Sequence, residues 1–124
     1  MSNVFHINSR RTFAEEDARS LLPVIRRITE QAVRSSTEVQ EQLRWVPKEE
    51  ALYRRLTRQL ESTVRTWASK ISRLGCEPRG IWLVDFDAGN GWFSWRYGDD
   101  DRNFFTSNQV SRGAASSAFE ELLS

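Results

Sequence analysis

The sequence predicts an α+β fold in which a long antiparallel helical hairpin packs on a three-stranded antiparallel β-meander. Two observations predict the hairpin: apolar residues recur with a helical period along two long stretches, and only Trp45-Val46-Pro47 separates these stretches. A third predicts the sheet, because beyond residue 80 the apolar period changes to two and aromatic residues become dense. The 124 residues suit one domain, made of the hairpin (13–74), the meander (81–106) and a C-terminal tail (107–124).

The first helix is expected from about Phe13 to about Trp45. Thr12 and Glu15 have the spacing of a capping box, which would satisfy free backbone N–H groups at the helix start. Pro23 lies inside the helical pattern, and proline removes a backbone donor, so we expect a kink or a short first segment there. The apolar stripe of this helix consists of Ala18, Leu21, Leu22, Ile25, Ile28, Ala32, Val33, Val39 and Leu43.

The second helix is expected to begin at Pro47, which suits the first turn of a helix, and to end before Gly75. Its apolar stripe consists of Leu52, Tyr53, Leu56, Leu60, Val64, Trp67, Ile71 and Leu74. Two helices joined by so short a break must lie antiparallel if both stripes are to be buried, so they form a hairpin.

The sheet is expected to be a meander, because each pair of strand-like segments is separated by a short turn sequence. The strands are expected at Ile81–Asp87, Trp92–Tyr97 and about Asn103–Thr106. Residues 4–7 alternate and would suit an N-terminal edge strand, and Ser116–Leu123 would suit a short C-terminal helix.

The chain resembles a small bacterial family, domain of unknown function 2203, from Phe13 to about Arg112. The matching pieces are Phe13, Glu16-Asp17-Ala18, Leu21-Leu22-Pro23, Leu83-Val84-Asp85-Phe86 and Trp95-Arg96-Tyr97-Gly98-Asp99. The resemblance implies a helical hairpin with a β-meander and carries no established activity. This chain departs from the family at Phe93-Ser94-Trp95, where members tend to have Leu-Cys-Trp, and at Phe105-Thr106, where they tend to have Trp-His. The cysteine and histidine of these family positions are therefore missing here.

The composition favours an intracellular protein without a membrane partner. No apolar run approaches the roughly 18 residues that a membrane span requires. The first residues lack the pattern of a secretory signal, and the single Cys76 cannot form an internal disulfide. We therefore expect a cytoplasmic location.

The charge distribution bears on nucleic-acid binding. Residues 1–80 contain 15 basic and 10 acidic side chains, whereas residues 81–124 contain 3 and 7. The basic side of the second helix, Arg54, Arg58 and Arg65, is the alternative that would bind phosphates, although a solvated face explains it more simply. Aromatic sheets also stack bases, but here the sheet half is acidic and would repel phosphates, so nucleic acid is disfavoured as a partner.

Residues for catalysis are scarce. A Cys–His nucleophile would need Cys76 and His6, which no pattern brings together, and soft metal ligands are lacking. Gly89-Asn90-Gly91 lacks the following lysine of a phosphate loop and is explained by a hairpin turn. We expect no catalytic residues, no cofactor and no metal site, and therefore a non-enzymatic protein.

Asp85 is the most informative carboxylate, because it lies in the apolar run Leu83–Phe86. A carboxylate in such a run must find a partner or change its pKa. Arg96 on the next strand and Arg112 beyond it are the predicted partners, which favours a structural ion pair. The alternative is a small-ligand or divalent-metal site centred on Asp85, Arg96 and Arg112, with catalysis the least favoured interpretation.

The aromatic residues of the meander point to an interaction surface. By alternation both faces of the sheet carry large apolar groups, and one helical hairpin covers only one face. The terminal segments, a second copy of the chain, or a ligand or other partner must cover the second. The leading hypothesis is a non-enzymatic interaction module, a homo-oligomer or a complex with another protein. Its predicted interface residues are Trp92, Phe105, Trp82 and Trp95.

Overall fold

The computed structural model describes residues 11–98 and the strand at residues 105–107. This part of the chain forms two helices, α1 (Glu15–Leu43) and α2 (Ala51–Arg73), followed by four strands. The strands are β1 (Glu77–Pro78), β2 (Leu83–Asp87), β3 (Trp92–Arg96) and β4 (Phe105–Ser107), paired antiparallel in the order β1-β2-β3-β4. The predicted fold class, two long helices followed by an antiparallel meander, is confirmed.

The two helices pack along the apolar stripes that the sequence predicted. The buried side chains of α1 are Ala18, Leu22, Ile25, Thr29, Ala32, Ser36 and Val39, and those of α2 are Leu56, Leu60, Val64, Trp67 and Ile71. Thr29 and Ser36 complete the α1 stripe with small polar side chains. In this interior the indole N–H of Trp67 donates a 2.9 Å hydrogen bond to Thr29 Oγ1, which joins the two helices.

The start of α1 differs from the prediction. The residue that precedes the helix is Ala14, and no side chain caps the helix there. Thr12 instead forms a parallel bridge with Asp87, and the Phe13 N–H donates a 2.7 Å hydrogen bond to the Asp87 carbonyl. The capping box was wrong because the sheet holds Thr12 in an extended conformation three residues before the helix begins at Glu15.

α1 runs without interruption through Pro23. The short first segment that Pro23 suggested does not form, since Leu22 and Ile25 on either side of it are buried. Burying such side chains stabilises the helix by roughly 1.5–3 kcal/mol each, which outweighs the cost of about 3 kcal/mol for an internal proline.

The connection between the helices is longer than predicted. α1 ends at Leu43, and the next residues form a tight turn in which Val46 N–H donates to the Leu43 carbonyl. Pro47 does not open α2. It starts a second turn, closed by the Glu50 N–H, and α2 begins at Ala51.

The first long strand begins two residues later than predicted, because the backbone of Trp82 has φ +58°. A positive φ is rare for a bulky residue and incompatible with a strand. Packing holds Trp82 there: its ring meets Trp67 edge-on, with centroids 5.0 Å apart, and its carbonyl accepts a hydrogen bond from the Tyr97 N–H. The segment before it folds back as β1, an edge strand that the sequence did not predict.

One face of the sheet packs on the hairpin. Its side chains Val84, Phe86, Phe93 and Trp95 are buried in one apolar cluster with Leu22, Ile25, Trp67 and Ile71. A second, smaller cluster of Val39, Leu56, Leu60 and Val64 lies nearer the helix connection. Trp82 packs against both clusters and links them.

Several sequence-based predictions concern residues outside those that the structure describes. They are the edge strand at residues 4–7, the terminal helix at 116–123, and the positions His6 and Arg112. Among the residues that are described, neither helix has an apolar stretch sufficient to span a membrane.

Candidate functional site

The second face of the sheet is turned away from the helices, and we call it the outer face. Side chains alternate along a strand, so the outer face carries those residues of β2 and β3 that alternate with the residues facing the helices. These are Leu83, Asp85, Asp87, Trp92, Ser94 and Arg96. The strand register places Asp85 opposite Ser94 at the centre, with Asp87 opposite Trp92 at one end and Leu83 opposite Arg96 at the other.

Asp85 lies at the centre of the outer face and is completely buried. Its Oδ1 accepts a 2.7 Å hydrogen bond from the Ser94 hydroxyl. Its Oδ2 lies 2.9 Å from Arg79 Nε, in an ion pair whose N–H direction departs from that of a good hydrogen bond. Both oxygens of the carboxylate are therefore engaged, which compensates for its removal from water.

Arg79 was not predicted as the partner of Asp85. It follows the short strand β1, its N–H donates a 2.7 Å hydrogen bond to the Leu83 carbonyl, and its side chain is only 18% exposed. Because Glu77 pairs with Asp85 across the sheet, the turn after β1 carries Arg79 back to the same carboxylate. A two-residue strand is too short to show a period of two. The sequence therefore contains no signal that Arg79 lies beside Asp85.

One predicted partner of Asp85, Arg96, has another position. Arg96 is exposed at the end of β3, where it pairs with Leu83 and lies two residues along the strand from Ser94. Arg112 is outside the described residues. Within the described residues, the structure thus brings Asp85 together with Arg79 and Ser94.

The four predicted interface residues are separated by the fold. Trp95 is 2% exposed in the core and faces the helices, and Trp82 packs against Trp67, so neither lies on the outer face. Trp92 lies on the outer face and is half-buried. Phe105 is the first residue of β4, and its backbone pairs with Ser94.

The aromatic side chains of the sheet are more fully buried than the sequence suggested. In the described part of the meander no aromatic side chain is exposed, and the exposed large apolar residues are Val24, Trp45 and Leu52, all on the hairpin. Among the described residues, the most exposed large apolar side chain is that of Trp45, at 78%, in the turn between the two helices.

Cys76 is buried immediately after the helix and is unsuited to act as a nucleophile. Burial raises the pKa of its thiol to about 12, and the nearby positive charge of Arg11 reverses only part of that effect. A thiol with such a pKa carries almost no thiolate at neutral pH.

The arginines of α2 that were considered for phosphate binding are exposed to solvent. Arg54, Arg58 and Arg65 are exposed on α2, and Arg65 lies 4.0 Å from Glu61. Within residues 11–98, no group of three or more His, Cys, Asp and Glu side chains is arranged to hold a metal ion.

Comparison with known proteins identifies a family and nothing more specific. The family model described as Uncharacterized conserved protein (DUF2203) matches residues 11–110, which confirms the resemblance seen in the sequence. No curated protein and no solved structure matches the chain.

Proposed function

We propose that this chain, which belongs to the DUF2203 family of uncharacterized conserved proteins, is a non-enzymatic interaction module that self-associates through the outer face. The observation that carries the proposal is the pair of apolar side chains Leu83 and Trp92, which stand half-buried on the sheet face that the helices do not cover. A tryptophan at the edge of a flat surface is a frequent anchor of protein interfaces.

The outer face is complementary to itself. One end carries Asp87 beside Trp92, and the other carries Arg96 beside Leu83. When a second copy approaches face to face with its strands reversed, each end meets the opposite end of its partner. The carboxylate of Asp87 then lies near the guanidinium of Arg96 from the second copy, and the two apolar side chains share the same contact. A twofold axis produces this contact twice, as in most homodimers.

A small-ligand or divalent-metal site centred on Asp85 is the less favoured function. A carboxylate that contacts a ligand must be reachable, whereas Asp85 is completely buried and both of its oxygens are engaged by Ser94 and Arg79. This arrangement favours a structural role, in which the ion pair holds the turn after β1 against the centre of the sheet.

Sedimentation velocity and light scattering test the proposal at roughly 1 to 100 μM, a range that populates weak dimers. We expect a dimer for the wild type and a shift to monomer for Trp92→Ala. Trp45→Ala is the matched control, since it removes a tryptophan from the exposed end of the hairpin, and it leaves the dimer unchanged.

A charge variant separates loss of contact from loss of folding. Arg96 is exposed, so Arg96→Glu leaves the fold intact, which thermal unfolding verifies. It places two negative charges together in the proposed dimer and weakens it at low salt. A wild-type chain that remains monomeric across this range, or a dimer that survives both Trp92→Ala and Arg96→Glu, would contradict the proposal.

A further inference from the structure

The helical hairpin carries a groove that begins between α1 and α2 and continues along the surface of α2. Two adjoining hollows form it, with volumes of about 260 Å³ and 290 Å³, and they share Ser62, Thr66 and Lys70. Both hollows lie just below the size of pockets that hold small molecules, which begins at about 300 Å³.

The first hollow combines an apolar floor with a polar rim. Ile28, Ala32 and Trp67 contribute the apolar surface, and the indole N–H of Trp67 is already bonded to Thr29. The rim carries the hydroxyls of Ser62 and Thr66, four residues apart on one side of α2. This division suits a ligand with a ring or other apolar part and a polar group.

The charges at the rim are positive. Lys70 lines both hollows, Arg73 lines the second, and neither hollow contains a carboxylate among its lining residues. α2 as a whole has six basic side chains and one acidic one, Glu61, which lies 4.0 Å from Arg65. In the part of the chain that the structure describes, Lys70 and Arg73 form no ion pair.

We propose that this groove binds a small organic phosphate, with its phosphate group at Lys70 and Arg73 and its apolar part over Trp67. Lysine and arginine recognise phosphate by charge-assisted hydrogen bonds, and the hydroxyls of Ser62 and Thr66 donate to the remaining oxygens. The site is on the hairpin and not on the outer face, so it stands independently of the proposed self-association.

Amide chemical shifts of the full chain, titrated with phenyl phosphate, test the proposal. We expect saturable shifts for residues around 62–73, weaker shifts with inorganic phosphate, and none with phenol, which has the ring without the charge. Lys70→Gln and Arg73→Gln should each weaken phenyl phosphate binding about tenfold, the effect of losing one charge-assisted hydrogen bond. Thr66→Val, which keeps the shape of the side chain, should weaken it less.

Arg54→Gln is the matched control, because it removes one positive charge from the same helix about 24 Å from Lys70. It should leave phenyl phosphate binding unchanged. An equal loss of phenyl phosphate binding in Arg54→Gln would show that the helix attracts anions diffusely, and it would overturn the proposed site. Amide chemical shifts of the same size with phenol would also overturn it. A single-stranded oligonucleotide that binds tightly and is weakened equally by Arg54→Gln and Lys70→Gln would indicate nucleic-acid binding by the whole helix instead. Absence of shifts with phenyl phosphate would also overturn the proposal.

Discussion

Arg79 Nε lies 2.9 Å from Asp85 Oδ2, and this ion pair ties the turn that follows β1 to the middle of β2. The carboxylate is completely buried, and the guanidinium keeps only a small exposed edge. Removing either partner leaves the other charge inside the protein without its counter-ion in this pair, which costs far more free energy than the intact pair contributes.

Arg79→Met should destabilise the protein by about 3–5 kcal/mol, because it keeps an aliphatic side chain but removes the charge opposite Asp85. Guanidinium chloride unfolding at pH 7 measures the change. Arg55→Met is the control: it alters an exposed arginine of α2, away from the outer face, and its effect should stay within about 0.5 kcal/mol. The double variant Arg79→Met with Asp85→Asn should be less unstable than the sum of its single variants. Additive losses would mean that the two side chains are not coupled.

Thr29→Val should destabilise the protein by about 1–3 kcal/mol, because it leaves the buried indole N–H of Trp67 without its acceptor. Valine has nearly the shape of threonine, so little packing is lost. Thr37→Val serves as the control, since the Thr37 hydroxyl donates to a backbone carbonyl of the same helix at an exposed position. Thermal unfolding of the two variants should therefore differ by several degrees. Equal melting temperatures would show that the hydrogen bond between the helices contributes nothing.

The sequence predicts those features that depend on neighbouring residues and misses those that depend on distant ones. The helical stripes apart from Leu52, which is exposed at the start of α2, the turn at 88–91 and the helix end before Gly75 were correct, because period and turn chemistry are local. The capping box at Thr12 failed because Asp87, 75 residues away, holds Thr12 in the sheet.

The candidate site also combines features that depend on neighbouring residues with features that depend on distant ones. The apolar run around Asp85 identified its need for a basic partner. It did not identify Arg79, because that contact depends on how a two-residue strand pairs with β2. Nor did it show that Trp95 and Trp82 belong to the core, since alternation gives the face of a residue but not which face the helices cover.

Gly75→Ala should destabilise the protein by more than the usual cost of alanine in a left-handed conformation, which is about 1–2 kcal/mol. Gly75 has φ +90°, and an added Cβ would lie 2.5 Å from Cδ of Arg11. Gly98→Ala is the matched control, because Gly98 has φ +96° with no atom near the added Cβ. The difference between the two variants in free energy of unfolding, measured by chemical denaturation, isolates the contact with Arg11. Arg11→Ala should reduce this difference. Equal losses at the two glycines would show that Arg11 moves aside without cost.

The buried thiol of Cys76 should make stability depend on pH in the alkaline range. Its pKa rises from 9.0 to about 12 on folding, mainly because burial disfavours the thiolate. A raised pKa means that the folded protein retains a proton which the unfolded chain releases. The contribution of the protonated thiol to the free energy of unfolding is therefore complete below pH 9. It is lost as the pH rises towards 12, at a slope near 1.4 kcal/mol per pH unit.

Comparison with Cys76→Ala isolates this effect, since lysines and tyrosines titrate in the same range in both proteins. Urea unfolding between pH 8 and about pH 10.5 should show the wild type losing stability more steeply than the alanine variant. The same burial should make the thiol of the folded protein react with a disulfide reagent at pH 8 far more slowly than that of the urea-unfolded chain, because its thiolate fraction is about a thousandfold lower. Parallel pH profiles together with rapid labelling of the folded protein would mean that Cys76 is open to solvent in solution.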